Sequence, residues 1–264
     1  MARILFLGDI VGRAGRQAVQ QHLPAIRETE RLDLVVANGE NTAGGAGINR
    51  EIAEELHGAG VDGITLGDHC WDQRGFDKDI DSLPYVCRPF NLFAGSPGLR
   101  HLVLATGGLR LGVVTVLGQV LMKIQSDAGF PAISAYLDDN REACDTWLVE
   151  THAETTSEKV AMGWYLDGRV AAVIGTHTHI PTADARILPR GTGFISDAGM
   201  TGPYDSVLGR DIAPIVRRFI DGMPRRFTVA EANVQLRGVI FEVEPGQRGC
   251  KSFEPFAFIV PTEG

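Results

Sequence analysis

The stretch Ala171-Ala172-Val173-Ile174-Gly175-Thr176-His177-Thr178-His179 decides the fold. A short apolar run that breaks at a glycine reads as a buried strand, and this one ends in two histidines. Side chains alternate on extended backbone, so His177 and His179 are expected on one side, and neutral imidazole is the commonest metal-ligating side chain. Four other apolar runs end in similar polar residues: Ile4 to Asp9, Leu34 to Glu40-Asn41, Gly63 to Asp68-His69, and Trp147 to His152. Ligands of parallel sheets bind beyond the carboxyl ends of the strands. The five ends are therefore expected to deliver Asp9, Glu40, Asn41, Asp68, His69, His152, His177 and His179 into one place.

Outward from that stretch, the chain alternates strand and helix. Arg3 to Leu7 reads as a strand, and Val19, Leu23 and Ile26 at helical spacing predict a helix within Gly15 to Glu30. Leu32 to Ala37 and Val61 to Leu66 are the next strands, separated by a helix that Asn49 caps and Gly58 and Gly60 end. Three such repeats in the first 80 residues argue for a parallel sheet with right-handed crossovers. The prolines of Leu83 to Pro97 predict mostly loop. His101 to Ala105 and Leu109 to Leu117 read as a β-hairpin around Gly107-Gly108. Helices are expected at Pro131 to Cys144, Ser157 to Tyr165 and Arg210 to Ile220, and further strands at Gly193 to Ser196, Arg237 to Glu244 and Phe253 to Val260. No linker or repeat divides the chain, so one α/β domain over residues 1–264 with two stacked mixed sheets is expected.

Composition narrows the class. With 44% hydrophobic and 22% charged residues the chain is that of an ordinary globular protein. Its formal charge of -8 has the wrong sign for a general nucleic-acid surface or an anionic membrane, although bound cations would reverse the field locally. The first strand starts too early for a signal peptide, and no apolar run is long enough for a transmembrane helix. The four cysteines, Cys70, Cys87, Cys144 and Cys250, form no Cys-x-x-Cys pair, which favours a reduced, cytoplasmic setting.

The strand-end residues suit a hydrolase with two metals, which wants imidazole and carboxylate ligands with one of them bridging. Asp9, His152, His177 and His179 are terminal-ligand candidates, Glu40 a bridge, and Asn41 or Asp68 a further oxygen. Mixed nitrogen and oxygen donors favour a transition metal over magnesium or calcium. Taken singly, Asp9 would be a helix cap, Glu40 and Asn41 turn residues, and His152 a satisfied buried histidine. Those roles do not explain why such residues follow five separate apolar runs.

The chain also resembles the YmdB-like family of calcineurin-type metallophosphoesterases over its whole length. The resemblance is carried by Leu7-Gly8-Asp9-Ile10-Val11-Gly12, Asn38-Gly39-Glu40-Asn41, Gly67-Asp68-His69-Cys70-Trp71-Asp72, the segment His152 to Lys159, Gly175-Thr176-His177-Thr178-His179 and the segment Asp197 to Asp205. It implies a four-layer α/β/β/α sandwich and a phosphodiesterase for cyclic nucleotides, of the 2′,3′- or 3′,5′-cAMP type. It implies two transition metals, iron first and manganese second, with Asp9, Glu40, Asn41 and His179 around one and Glu40, Asp68, His152 and His177 around the other. A hydroxide bridging the two cations would attack phosphorus in line, and His69 would protonate the leaving group. Thr42, Gly44, Thr201 and Tyr204 lie in loops expected to contact substrate, and a homo-oligomer is the default for such enzymes.

One position departs from the pattern. The family usually has Asn where this chain has Asp68, and the added charge is expected to weaken the Lewis acidity of its metal and repel phosphate. This keeps open a metal- and nucleotide-binding regulatory protein with little turnover. A metal-dependent amidohydrolase is a further alternative, but it calls for a barrel of eight βα units. Catalysis by a Ser or Cys nucleophile fits poorly, because there is no Gly-x-Ser-x-Gly elbow.

Overall fold

The structure is a computed structural model that describes residues 1–261; the last three residues of the expected domain lie outside the described residues. The first half contains β1 (Ala2–Leu7), β2 (Asp9–Ile10), α1 (Gly12–Thr29), β3 (Leu34–Asn38), α2 (Arg50–Gly58), β4 (Gly63–Thr65), α3 (Phe76–Asp79), β5 (Val86–Cys87), β6 (Leu102–Thr106) and β7 (Leu109–Leu117). There follow α4 (Gly129–Asp139), β8 (Thr146–His152), α5 (Thr156–Leu166), β9 (Ala172–Thr176), β10 (Arg186–Ile187), β11 (Gly193–Ile195), β12 (Met200–Pro203), α6 (Ile212–Asp221), β13 (Val234–Val243) and β14 (Cys250–Ile259).

Among the described residues the strands form two sheets. One runs β2-β12-β13-β1-β3-β4-β5, with β14 also paired to β13, and the other runs β10-β11-β9-β8-β7-β6. Parallel pairing joins β1 to β3, β3 to β4 and β4 to β5 in the first sheet, and β7 to β8, β8 to β9 and β9 to β11 in the second. Antiparallel partners make both sheets mixed: β13 beside β1, and β6 beside β7.

The alternation of side chains sorts the core into three layers. Ile4 and Phe6 of β1 and Val36 of β3 meet Leu111, Val113, Leu148 and Ile174 from the other sheet, in the layer between the sheets. Leu5, Leu7, Val35 and Ala37 point the other way, onto Val19, Leu23 and Ile26 of α1 and Leu56 of α2. Val114, Val149 and Val173 pack outward onto Ile133 and Leu137 of α4 and Met162 and Leu166 of α5. Strands apolar on both faces must be covered on both, which is why their sequences read as continuous apolar runs. The result is the expected α/β/β/α sandwich of the calcineurin type.

Local chemistry accounts for most boundaries. Asn49 caps α2, its Oδ1 accepting from Ile52 N at 2.9 Å. The hairpin turn takes Gly107 at φ 49° and Gly108 at φ 86°, the paired left-handed conformation that glycine allows. Three expectations shift. The loop Leu83 to Pro97 contains β5. The helix expected at Pro131 to Cys144 is α4, which stops at Asp139 because Asn140 turns its side chain back to Tyr136 O at 2.8 Å. The helix expected from Arg210 is α6, which starts at Ile212 because the Arg210 backbone pairs with Val207 instead. His101 is structural, with Nδ1 2.6 Å from the Tyr136 hydroxyl.

Candidate metal centre

The five polar strand ends do not belong to one sheet. Asp9, Glu40-Asn41 and Asp68-His69 follow β1, β3 and β4, whereas His152 ends β8 and His177 and His179 follow β9. They meet because the two stacked sheets present their carboxyl ends at the same edge. His177 and His179 do not alternate on extended backbone as expected. β9 ends at Thr176, and both histidines sit at positive φ, 92° and 65°. Such a conformation costs about 1–3 kcal/mol per residue and persists only where the surroundings impose it. Here Asp197 imposes it: Oδ2 accepts from Thr178 N at 3.1 Å and Thr178 Oγ1 at 2.7 Å, while the buried Lys159 Nζ donates to the same oxygen at 2.7 Å.

The three site histidines each have one nitrogen engaged by an outer partner and the other turned inward. Thr176 Oγ1 donates to Glu150 Oε1 at 2.7 Å, so it accepts from His152 Nδ1 at 2.9 Å, which leaves Nε2 facing the site. Leu208 O only accepts, so His179 Nδ1 donates to it at 3.1 Å and Nε2 points inward, 3.2 Å from Asn41 Nδ2. His177 Nε2 lies 3.0 Å from Glu154 Oε2, and its Nδ1 faces the centre. Outer partners that set the tautomer of an imidazole are what metal-ligating histidines need.

At the centre, His152 Nε2 lies 3.0 Å from Asp68 Oδ1, 3.1 Å from Glu40 Oε1 and 3.1 Å from His177 Nδ1. Glu40, Asp68, His152 and His177 offer ligand atoms all within 4.8 Å of one another. The field there is strongly negative. Burial opposes a charge on His152, yet Glu40, Asp68 and Glu150 raise its pKa well above the usual imidazole value. Asp9 Oδ2 accepts from His177 N at 3.1 Å, but its buried Oδ1 has no hydrogen-bond partner among the described residues, and burial pushes its carboxyl up to about 7. An orphaned buried carboxylate oxygen beside such a cluster calls for a cation. Gly67 keeps the space open, since a Cβ there would lie 2.2 Å from Glu40 Oε2 and 2.3 Å from His152 Nε2. The donor set thus fits bound metal.

A family model described as YmdB-like protein matches residues 5–256. The chain belongs to the YmdB-like family. It is 41% identical over 242 residues to the 2′,3′-cyclic-nucleotide 2′-phosphodiesterase of Bacillus subtilis (strain 168), covering 92% of this chain and 91% of that protein. Among solved structures, a hypothetical protein from Thermus thermophilus superposes with a TM-score of 0.91 at 41% identity, over 98% of this chain and all (100%) of that one. A novel phosphatase from Mycoplasma pneumoniae superposes at 0.90 with 34% identity, over 98% and 93%.

In this YmdB-like chain a cleft of about 280 Å³ opens over the cluster, lined by Glu40, Asn41, Gly45, His69, Glu154, His177, His179 and Arg210 among others. His69 stands at its rim, with Nδ1 2.7 Å from Asp72 Oδ2 and its backbone N donating to Glu40 Oε2 at 3.1 Å. Burial works against its charge, but Glu40, Asp68 and Asp72 outweigh that and raise its pKa. Cys70 beside it is buried, and desolvation pushes its thiol far up, which removes it as a nucleophile.

Thr42, Thr201 and Tyr204 are not among the residues lining the cleft. Thr42 is buried with Oγ1 donating to Gly39 O at 2.7 Å, Thr201 is buried between β2 and β13, and the Tyr204 hydroxyl donates to Met200 O at 3.0 Å. Thr201 Oγ1 donates to Arg237 O of β13 at 3.4 Å, so all three hydroxyls bond to backbone carbonyls. Gly44 supports the wall from behind by accepting from Arg210, while Gly45 lines it. Sequence reasoning gave no role to Glu150, Glu154, Arg210 or the Asp197–Lys159 pair, although the segments His152 to Lys159 and Asp197 to Asp205 carried the resemblance. Glu154 had a local signal, two residues after His152, but the others act through partners far away in the chain.

Proposed function

We propose that the protein is a dinuclear metal-dependent phosphodiesterase that hydrolyses cyclic nucleotides. The observation that carries this is the turning inward of His152 Nε2 and His177 Nδ1 toward Asp68, with Glu40 beside His152, and of His179 Nε2 toward Asn41. Asp9, Glu40, Asn41 and His179 would hold one cation, and Glu40, Asp68, His152 and His177 the other. Imidazole with carboxylate suits iron, with manganese next. Two such cations supply Lewis acidity toward phosphoryl oxygens and a hydrolytic nucleophile near neutral pH.

The remaining chemistry belongs to the chain. His69, held at the rim of the cleft by Asp72, donates its proton to the departing ribose oxygen. Glu154 and Leu208 hold the rings of His177 and His179 in their working orientation. The relative from Bacillus subtilis, named for 2′,3′-cyclic nucleotides, makes that isomer the first substrate to try, with 3′,5′-cAMP second. No helix of the described residues is long and apolar enough to cross a membrane, and the four cysteines are free and buried. We extend the proposal to a cytoplasmic protein with one domain over residues 1–264 that assembles as a homo-oligomer.

A second reading, a regulatory protein that binds nucleotide with little turnover, is favoured by one observation, the carboxylate of Asp68 between His152 and His177. The amidohydrolase reading is not favoured, because the strands form two sheets and not a βα barrel. The deciding experiment is elemental analysis of purified protein with hydrolysis of 2′,3′- and 3′,5′-cyclic AMP, with and without added manganese or iron. About two transition metals per chain with metal-dependent release of nucleotide support the proposal. Two metals with tight cyclic-nucleotide binding and no hydrolysis support the regulatory reading, and no metal under replete conditions overturns both.

A further inference from the structure

Arg210 is the one permanent cation among the residues lining the cleft, and it pairs with no carboxylate among the described residues. Its guanidinium donates to two backbone carbonyls, Nη1 to Gly44 O at 2.9 Å and Nη2 to Gly45 O. The fork keeps further N–H donors beyond those two bonds.

The position of the fork is built from both sides. Gly45, at φ 88°, gives it room: a Cβ there would lie 2.4 Å from Nη1 and 2.5 Å from Cζ. The Arg210 backbone is held by bridges to Val207 and Val229. Leu208, in the same turn, accepts from His179 Nδ1. The turn that aims an inward-facing histidine therefore also aims the cation. A guanidinium fixed without an anionic partner, in a cleft shared with Asn41, His177 and His179, is suited to take an anion by charge-assisted bonds.

We propose that Arg210 is the phosphoryl-binding residue of this cleft, taking a non-bridging oxygen of the substrate phosphodiester and holding the phosphomonoester product more tightly. This rests on the phosphodiesterase reading above. The diester carries one negative charge and the monoester up to two, so the same cation that receives substrate also makes the enzyme sensitive to its product and to inorganic phosphate.

The test is calorimetric titration of inorganic phosphate into the metal-loaded protein, for the parent, Arg210→Met and Arg210→Gln, with metal content and melting temperature measured on each. Arg210→Gln keeps an amide donor for the loop carbonyls without the charge, so it carries the comparison if Arg210→Met does not fold. Loss of charge-assisted bonds weakens phosphate binding about tenfold or more at unchanged metal content. KM for the cyclic nucleotide and the inhibition constant for phosphate rise together. Phosphate affinity equal to the parent's in Arg210→Gln overturns the proposal, and so does a loss that only follows loss of metal. A parent that binds phosphate through Arg210 but hydrolyses no cyclic nucleotide supports the anion site while the phosphodiesterase reading fails. Intact turnover with unchanged phosphate binding sinks this proposal alone.

Discussion

Oδ1 of Asp68 lies 3.0 Å from Nε2 of His152, and the same oxygen lies 3.1 Å from Nδ1 of His177. One carboxylate oxygen thus faces both inward-turned imidazoles. Burial opposes the charge on Asp68, yet the two histidines hold its carboxyl far below the usual range. An amide would occupy the same space without that charge. Asp68→Asn is therefore expected to raise turnover several-fold, or to shift the preference between manganese and iron, with the melting temperature of the metal-loaded protein little changed. Steady-state kinetics under identical metal loading check this, and unchanged kinetics with every metal rule it out.

Glu150 is fully buried and accepts from Asn38 Nδ2 at 2.7 Å, Thr176 Oγ1 at 2.7 Å and Thr115 Oγ1 at 2.8 Å. Asn38 in turn accepts from Glu40 N at 3.0 Å, so one carboxylate stands behind both Glu40 and His152. Glu150→Ala strands three buried donors, each at a cost of about 1–3 kcal/mol. It is expected to unfold at clearly lower denaturant concentration and to bind metal about 10–100-fold more weakly. Glu150→Gln, which keeps an acceptor oxygen, should recover part of both losses. Normal metal affinity in Glu150→Ala would show that the tautomer of His152 is set elsewhere.

Gly67→Ala places a methyl group on the ligand atoms of Glu40 and His152. It should abolish metal binding while leaving the circular dichroism spectrum unchanged, because Gly67 lies outside the strands and helices. Elemental analysis after metal loading reads the outcome, and full metal occupancy contradicts the geometry.

Asp184 accepts from Ser196 Oγ at 2.5 Å, Thr182 Oγ1 at 2.6 Å and Ser196 N at 3.1 Å, which ties down the segment leading into Asp197. Burial opposes its charge, but these donors win and lower its pKa from the usual 3.8. A carboxyl lowered on folding contributes stability that is present above the unfolded value and lost as pH falls through the folded one. Asp184→Asn should therefore cost about 1–2 kcal/mol near neutral pH. The gap to the parent should narrow below pH 3.8 in urea unfolding curves. A gap independent of pH would locate the effect in packing and not in the charge.

The sandwich was legible because its signals are local. Ile4 and Phe6 against Leu5 and Leu7 show the alternation of a strand buried on both faces, and Asn49 and Gly107-Gly108 mark a helix start and a hairpin. Strands of two residues, such as β2 and β5, carry too little pattern to be seen. Their pairing comes from neighbours distant in sequence. Glu150 was invisible as a positioning group for a similar reason, since within an apolar run it reads as an interruption and its three donors come from three different strands.

The sequence by itself determined that polar residues of ligating type close several apolar strands, because strand length and alternation depend on neighbours a few residues apart. Only the tertiary structure decided how those residues face one another. His177 and His179 take left-handed backbone because Asp197 and Lys159 hold Thr178, and Arg210 reaches the cleft by resting on Gly44, 166 residues earlier. Which nitrogen of a histidine turns inward depends on the acceptor behind the other, and that acceptor is chosen by packing two sheets together.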